Sequence, residues 1–209
     1  MNKLLPVAGA IGASVAAAGG YMLLGKESEF NTTKVSETFT ERYSKAVLSD
    51  EDPLWDSKLT VLESNGHPVH TTLIEAKSTI KQDKARAKQL LVEGCKEIYA
   101  SQLESSLHAS DFKSYCAKTI KDGMQGTWIS EDPTGRGTKW DTALLSFESH
   151  KKEAEDLRDL SNKSNSLGYD DQKKTLSDWC NASQGEIFMG DEDPRFVQSG
   201  LYCMEEINS

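Results

Sequence analysis

Four cysteines, Cys95, Cys116, Cys180 and Cys203, are the residues of this chain best suited to covalent or metal chemistry. Thiol redox catalysis calls for Cys-x-x-Cys or a thiolate beside a basic partner. A four-thiolate zinc site usually brings close Cys-x-x-Cys pairs. The chain has neither pattern, so disulfides are the expected use, with three pairings open. Internal repetition ranks those pairings. Trp-Asp-Ser-Lys-Leu-Thr-Val-Leu-Glu-Ser from Trp55 is echoed 85 residues later by Trp-Asp-Thr-Ala-Leu-Leu-Ser-Phe-Glu-Ser from Trp140. Leu91 and Cys95 recur at the same offset as Leu176 and Cys180, and Tyr115-Cys116 recurs as Tyr202-Cys203. If each copy descends from a unit that folded alone, the bridges are Cys95 to Cys116 and Cys180 to Cys203. Each would close a loop of about 20 residues, worth ~3 kcal/mol to a small core.

Other reactive groups form no constellation. His67, His70, His108 and His150 follow neither an H-E-x-x-H pattern nor a spacing shared by the copies, and read as surface residues. The serines lack a G-x-S-x-G elbow, and Gly135-Arg136-Gly137 lacks the length and the Lys-Ser/Thr end of a phosphate loop. Glu-Asp-Pro occurs at 51–53, 131–133 and 192–194 without the ligand spacing of a calcium loop. Asp as a cap with Pro in the first turn predicts a helix start at each. No catalytic residue, cofactor or metal ligand is assigned, and the chain is not expected to be an enzyme.

The elements that must hold the cysteines read as helices. Trp55, Leu59 and Leu62 follow i, i+4, i+7 spacing, and Trp140, Leu144 and Phe147 repeat it, which predicts one buried helical face used twice. Residues 75–100 are rich in helix formers and predict one long helix that carries Cys95 near its end. Residues 149–160 read as helix, 161–168 as a loop, and 171–182 and 194–207 as further helices. The fold expected is mainly α.

Residues 4–24 carry no charge and suffice to cross ~30 Å of hydrocarbon as a helix. The apolar run continues past the A-x-A pattern of Ala16-Ala17-Ala18, which favours an uncleaved anchor over a signal peptide. The domains expected are thus an anchor at 1–25 and two tandem disulfide-stapled helical units of about 85 residues, at 26–119 and 120–209. Cysteines in matched pairs suit an oxidising compartment, which places the C-terminal domain outside a single-pass cell-membrane anchor. With 24 Lys plus Arg against 33 Asp plus Glu, the net charge of −9 argues against nucleic acid as a partner.

An Ala- and Gly-rich N-terminal span, then Leu176-Ser177-Asp178-Trp179-Cys180, Asp193-Pro194-Arg195-Phe196 and Tyr202-Cys203, resembles the paralogous membrane-anchored hypothetical proteins of haemotropic mycoplasmas. The first unit departs from these motifs, with Gly94 where Trp179 stands. The resemblance implies a surface-displayed, non-catalytic ectodomain for host interaction or antigenic variation, with a host surface or serum protein as partner besides the membrane. The alternative is a structural or assembly component of a bacterial membrane complex.

Overall fold

The computed structural model describes residues 36–205 apart from Ser105. The apolar run at 4–24 lies outside the described residues. Within them the chain is mainly helical: α1 (Phe39–Arg42), α2 (Leu54–Asn65), α3 (Thr71–Thr79), α4 (Lys84–Ala100), α5 (Ala109–Asp111) running into a π-helical turn (Phe112–Cys116), α6 (Ile120–Gly123), α7 (Lys139–Ser149), α8 (Glu155–Ser164), α9 (Tyr169–Gln184) and α10 (Pro194–Tyr202). No helix among the described residues is long and apolar enough to cross a membrane.

Two buried clusters form, one in each half. The first gathers Trp55, Leu59 and Leu62 of α2 with Leu73, Leu91, Ile98 and Phe112. The second gathers Trp140, Leu144 and Phe147 of α7 with Leu157, Leu176, Trp179 and Tyr202. Each leading tryptophan also spends its one donor on the backbone. Trp55 Nε1 donates to Ser49 O at 2.7 Å and Trp140 Nε1 to Glu131 O at 2.9 Å, so neither indole is buried with a bare N–H.

Backbone contacts recur in the same order. Thr38 bridges Gln102 as Thr119 bridges Ile187, and Val47 bridges Ala117 as Trp128 bridges Met204. Lys118 closes the first half by donating its N–H to Ala46 O, and opens the second by accepting from Phe188 N. The halves pack as one compact body. Ile187 rests on the first cluster, Phe188 meets Phe196 edge to face at 5.0 Å, and the Lys118 ammonium lies 4.4 Å from the Phe188 ring centroid.

Three expectations about elements need correction. Residues 75–100 are not one helix, because α3 stops at Thr79 and the chain turns before α4. Asp83 sits in extended conformation, and its carboxylate accepts from Arg86 N at 2.9 Å, which starts a new helix inside a run of helix formers. The expected loop at 161–168 is helical through Ser164, while the break falls at 150–154, where α7 has ended and α8 begins at Glu155. The second Glu-Asp-Pro, at 131–133, starts no helix. Asp132 turns back onto Thr134 N at 2.8 Å, and Glu131 is tied to α7 by its carbonyl at Trp140 and its carboxylate at Lys139 N. The other two do precede helices, with Asp52 accepting from Leu54 N and Asp193 from Arg195 N and Phe196 N.

The close approach of α3 to α4 depends on Gly94. A Cβ there would lie 2.9 Å from Leu73 Cδ2 and 3.1 Å from Thr72 Cβ. The matched residue of the second half is Trp179, whose indole N–H reaches Asp156 on α8 at 2.8 Å. One joint is closed by backbone proximity and the other by a large side chain.

Candidate functional site

The four cysteines form Cys95–Cys116 and Cys180–Cys203, with Cα separations of 5.3 and 5.5 Å. Each bridge pins the long helix of its half, α4 or α9, to the segment that closes that half. All four sulfur-bearing residues are buried, so these bonds act as staples between elements. Trp55, Leu59, Leu62, Trp140, Leu144 and Phe147 are buried as well, two sets of three on matched helices.

Around the staples the halves share a polar device built from different residue types. Asp111 Oδ2 accepts from Val69 N at 2.9 Å and His70 N at 2.8 Å, at the start of α3. Gln198 Oε1 accepts from Glu153 N at 3.2 Å and Ala154 N at 2.9 Å, at the start of α8. His70 and Ala154 are the cap residues of their helices. An oxygen carried on the closing segment thus pairs with the amide of the cap residue and with the amide just before it. The signal lay in the 87-residue offset already set by Tyr115-Cys116 and Tyr202-Cys203, which carries Asp111 onto Gln198.

A second shared device is an ion pair. Lys88 meets Asp56 at 2.9 Å and Lys173 meets Asp141 at 2.9 Å, all four at the 85-residue offset of the tryptophans. The first pair is open to solvent, whereas the Lys173 side chain is fully buried. Lys173 also donates to Gly135 O, lies 3.4 Å from Asp170 Oδ1 and stands 4.9 Å from the Tyr169 ring centroid. Burial alone would lower the Lys173 pKa, but the Asp141 bond and charge, with Asp170, outweigh it and raise it. The bond from Lys173 brings the Asp141 carboxyl down to about 2, against some desolvation and with help from Tyr169 Oη and Gly137 N. Gly135 and Gly137 have φ of 86° and 80°, a region that favours glycine, and this lets the loop fold over the ammonium.

The histidines correct the surface reading. His70 is buried and His108 half-buried, because α5 packs over the start of α3. Their rings meet edge to face at 4.7 Å, and His70 Nε2 lies 3.3 Å from Glu97 Oε2. Desolvation, reinforced by the neighbouring His108, lowers the His70 pKa against the pull of Glu97 and Asp111. His67 and His150 are exposed. Sequence reasoning had no purchase on the pair, since 38 residues separate its members and only the closing segment brings them together.

The matched place in the second half holds Ala154 and Arg195. There a cleft of about 580 Å³ opens between Asp156, Asp159, Asp193 and Arg195. Arg195 is bonded to Asp156 and to Ser183 Oγ, and lies 5.6 Å from the Trp179 ring. The guanidinium therefore clamps α8, α9 and α10 together. No group of three or more His, Cys, Asp or Glu among the described residues has the geometry of a metal site. No family model, curated protein or solved structure matches the chain.

Proposed function

We propose that this chain is a non-enzymatic display scaffold held at a cell membrane. On this reading residues 4–24 are a single-pass anchor. Residues 26–119 and 120–209 stand outside as two tandem disulfide-stapled helical units, and their exposed faces contact host surface or serum proteins or vary to escape antibodies. The observation that carries the reading is the buried disulfide in each half, which suits an oxidising compartment. What recurs between the halves supports it further, since the shared residues are core, staple, cap and ion pair.

Protease treatment of intact cells tests it. Cleavage of residues 26–209 without lysis is the expected result, and complete protection until lysis would sink the proposal. The second reading, a structural component of a membrane complex, draws on the apolar side chains exposed on matched helices, Val61 on α2 and Leu145 on α7. Cross-linking that recovers a membrane protein of the same cell and no host protein would favour it.

A further inference from the structure

The joint between α3 and α5 is built differently from its counterpart between α8 and α10, and the difference is titratable. In the second half an amide oxygen, Gln198 Oε1, caps Glu153 N and Ala154 N, beside an alanine and a permanently charged arginine. In the first half a carboxylate, Asp111, caps Val69 N and His70 N, beside two imidazoles. The titratable groups that face His70 are His108 and Asp111 from the α5 side and Glu97 from α4. Thr72 Oγ1 donates to Glu97 Oε2 at 2.9 Å, so this carboxylate is held where His70 Nε2 can use it.

The orientation of the rings sets the consequence of a proton. His70 Nε2 lies 3.3 Å from Glu97 Oε2, so a hydrogen on Nε2 has a carboxylate beside it, and the neutral ring that carries it there has Nδ1 as a bare acceptor. His70 Nδ1 and His108 Nδ1 are both buried without a hydrogen-bond partner. A second proton on His70 would therefore create a buried N–H with nothing to receive it, next to a second imidazole 4.7 Å away. The charge is better hydrated with the joint open.

We propose that the His70–His108 pair is an acid-sensitive latch, which holds the closing segment of the first half against the start of α3 at neutral pH and lets it go on acidification. The sign follows from linkage. A histidine whose pKa is lower in the fold than in the unfolded chain contributes stability that is present above the unfolded value, near 6.5, and is lost as pH falls toward the folded one. The second half has no titratable group at the matched places 154, 195 and 198, so it serves as the control within the same molecule.

Hydrogen exchange on the full chain, expressed as protection factors to remove the intrinsic pH dependence, tests the latch. Between about pH 7.5 and pH 5, protection at Val69 and His70 is expected to fall several-fold, while that at Glu153 and Ala154 holds. Equal behaviour of the two pairs of amides across that range overturns the proposal, and the wild-type chain alone decides it. His70→Gln, which keeps a donor for Glu97 and cannot titrate, is expected to retain the neutral-pH protection and lose the acid response. An acid response that persists in this variant also overturns it.

Discussion

The ammonium of Lys58, on α2, lies 2.7 Å from Asp122 Oδ2, across the junction between the halves. Asp122 is the acidic member of the capping box that starts α6, accepting from Thr119 N and Thr119 Oγ1 at 2.9 Å each. In the first half the same box is built by Thr38 and Glu41 and stands in solvent. The residue matched to Lys58 is the buried Ala143. The contact thus belongs to the pairing of the halves and not to either one alone.

Removing that ammonium should be costly. Burial pushes the Asp122 carboxyl up, but the bonds from Lys58 and Thr119, with the charge of Lys58, outweigh it and hold it below the usual carboxylate range. Lys58→Met leaves a largely buried carboxylate without its countercharge, and is expected to cost about 2–3 kcal/mol in urea unfolding. Lys58→Met with Asp122→Asn should cost less than the two single changes together. Additive losses would show that the pair does not couple the halves.

Each disulfide should stabilise its own half. Peptide mapping under non-reducing conditions is expected to find Cys95 joined to Cys116 and Cys180 to Cys203 with no free thiol. Replacing either pair by alanine should lower stability by about 2–4 kcal/mol. Cross-paired peptides, or four free thiols, would contradict the structure directly.

Gly94→Ala reverses an ordinary rule. In an exposed helix the change gains about 1 kcal/mol of propensity. Here the new Cβ would meet Leu73 Cδ2 at 2.9 Å and Thr72 Cβ at 3.1 Å. Leu73 is fully buried and a β-carbon has no freedom to swing aside. Overpacking is expected to win, for a net loss of about 1 kcal/mol or more by thermal or urea unfolding. A stabilised variant would mean that α3 can move off α4 at little cost.

Acid should weaken the second half through Asp141. Its carboxyl is held at about 2 in the fold, by the Lys173 bond foremost, and is near 4 in an unfolded chain. Its contribution is therefore full above about pH 4 and is lost as pH falls toward 2. In Asp141→Asn, urea midpoints should change less over that interval than in the wild type. Equal changes would mean that Asp141 is not the group that titrates.

The parts of this fold that could be read from the chain are those written in side-chain type at a constant offset. Trp55, Leu59 and Leu62 against Trp140, Leu144 and Phe147 disclose a helical face because apolar spacing of three and four is what a buried helix side requires. The segments 37–47 and 118–128 make matching bridges and each open on a Thr-led capping box, yet little else in their composition corresponds, because the bridges are backbone contacts that any residue can make. The split between α3 and α4 was hidden for a related reason. Lysine, alanine and glutamine favour a helix on both sides of Asp83, and one capping carboxylate decides where the chain turns. The ion pairs Lys88–Asp56 and Lys173–Asp141 were legible in the 85-residue offset, but charge alone does not reveal that the loop at 135–137 seals one of them.

Lys118 has a consequence for how such a chain can be rebuilt. Its N–H completes one half and its carbonyl begins the next, so the two share a residue instead of being joined by a linker. A recombination crossing at this position would exchange whole halves between related sequences with neither closing bridge lost. It would ask of the incoming half an acid at 122 to meet the lysine at 58, an acid at 186 to meet the lysine at 113, and apolar groups at 187 and 188 to cover the seam. A cut a few residues to either side would strand a bridge in the wrong fragment.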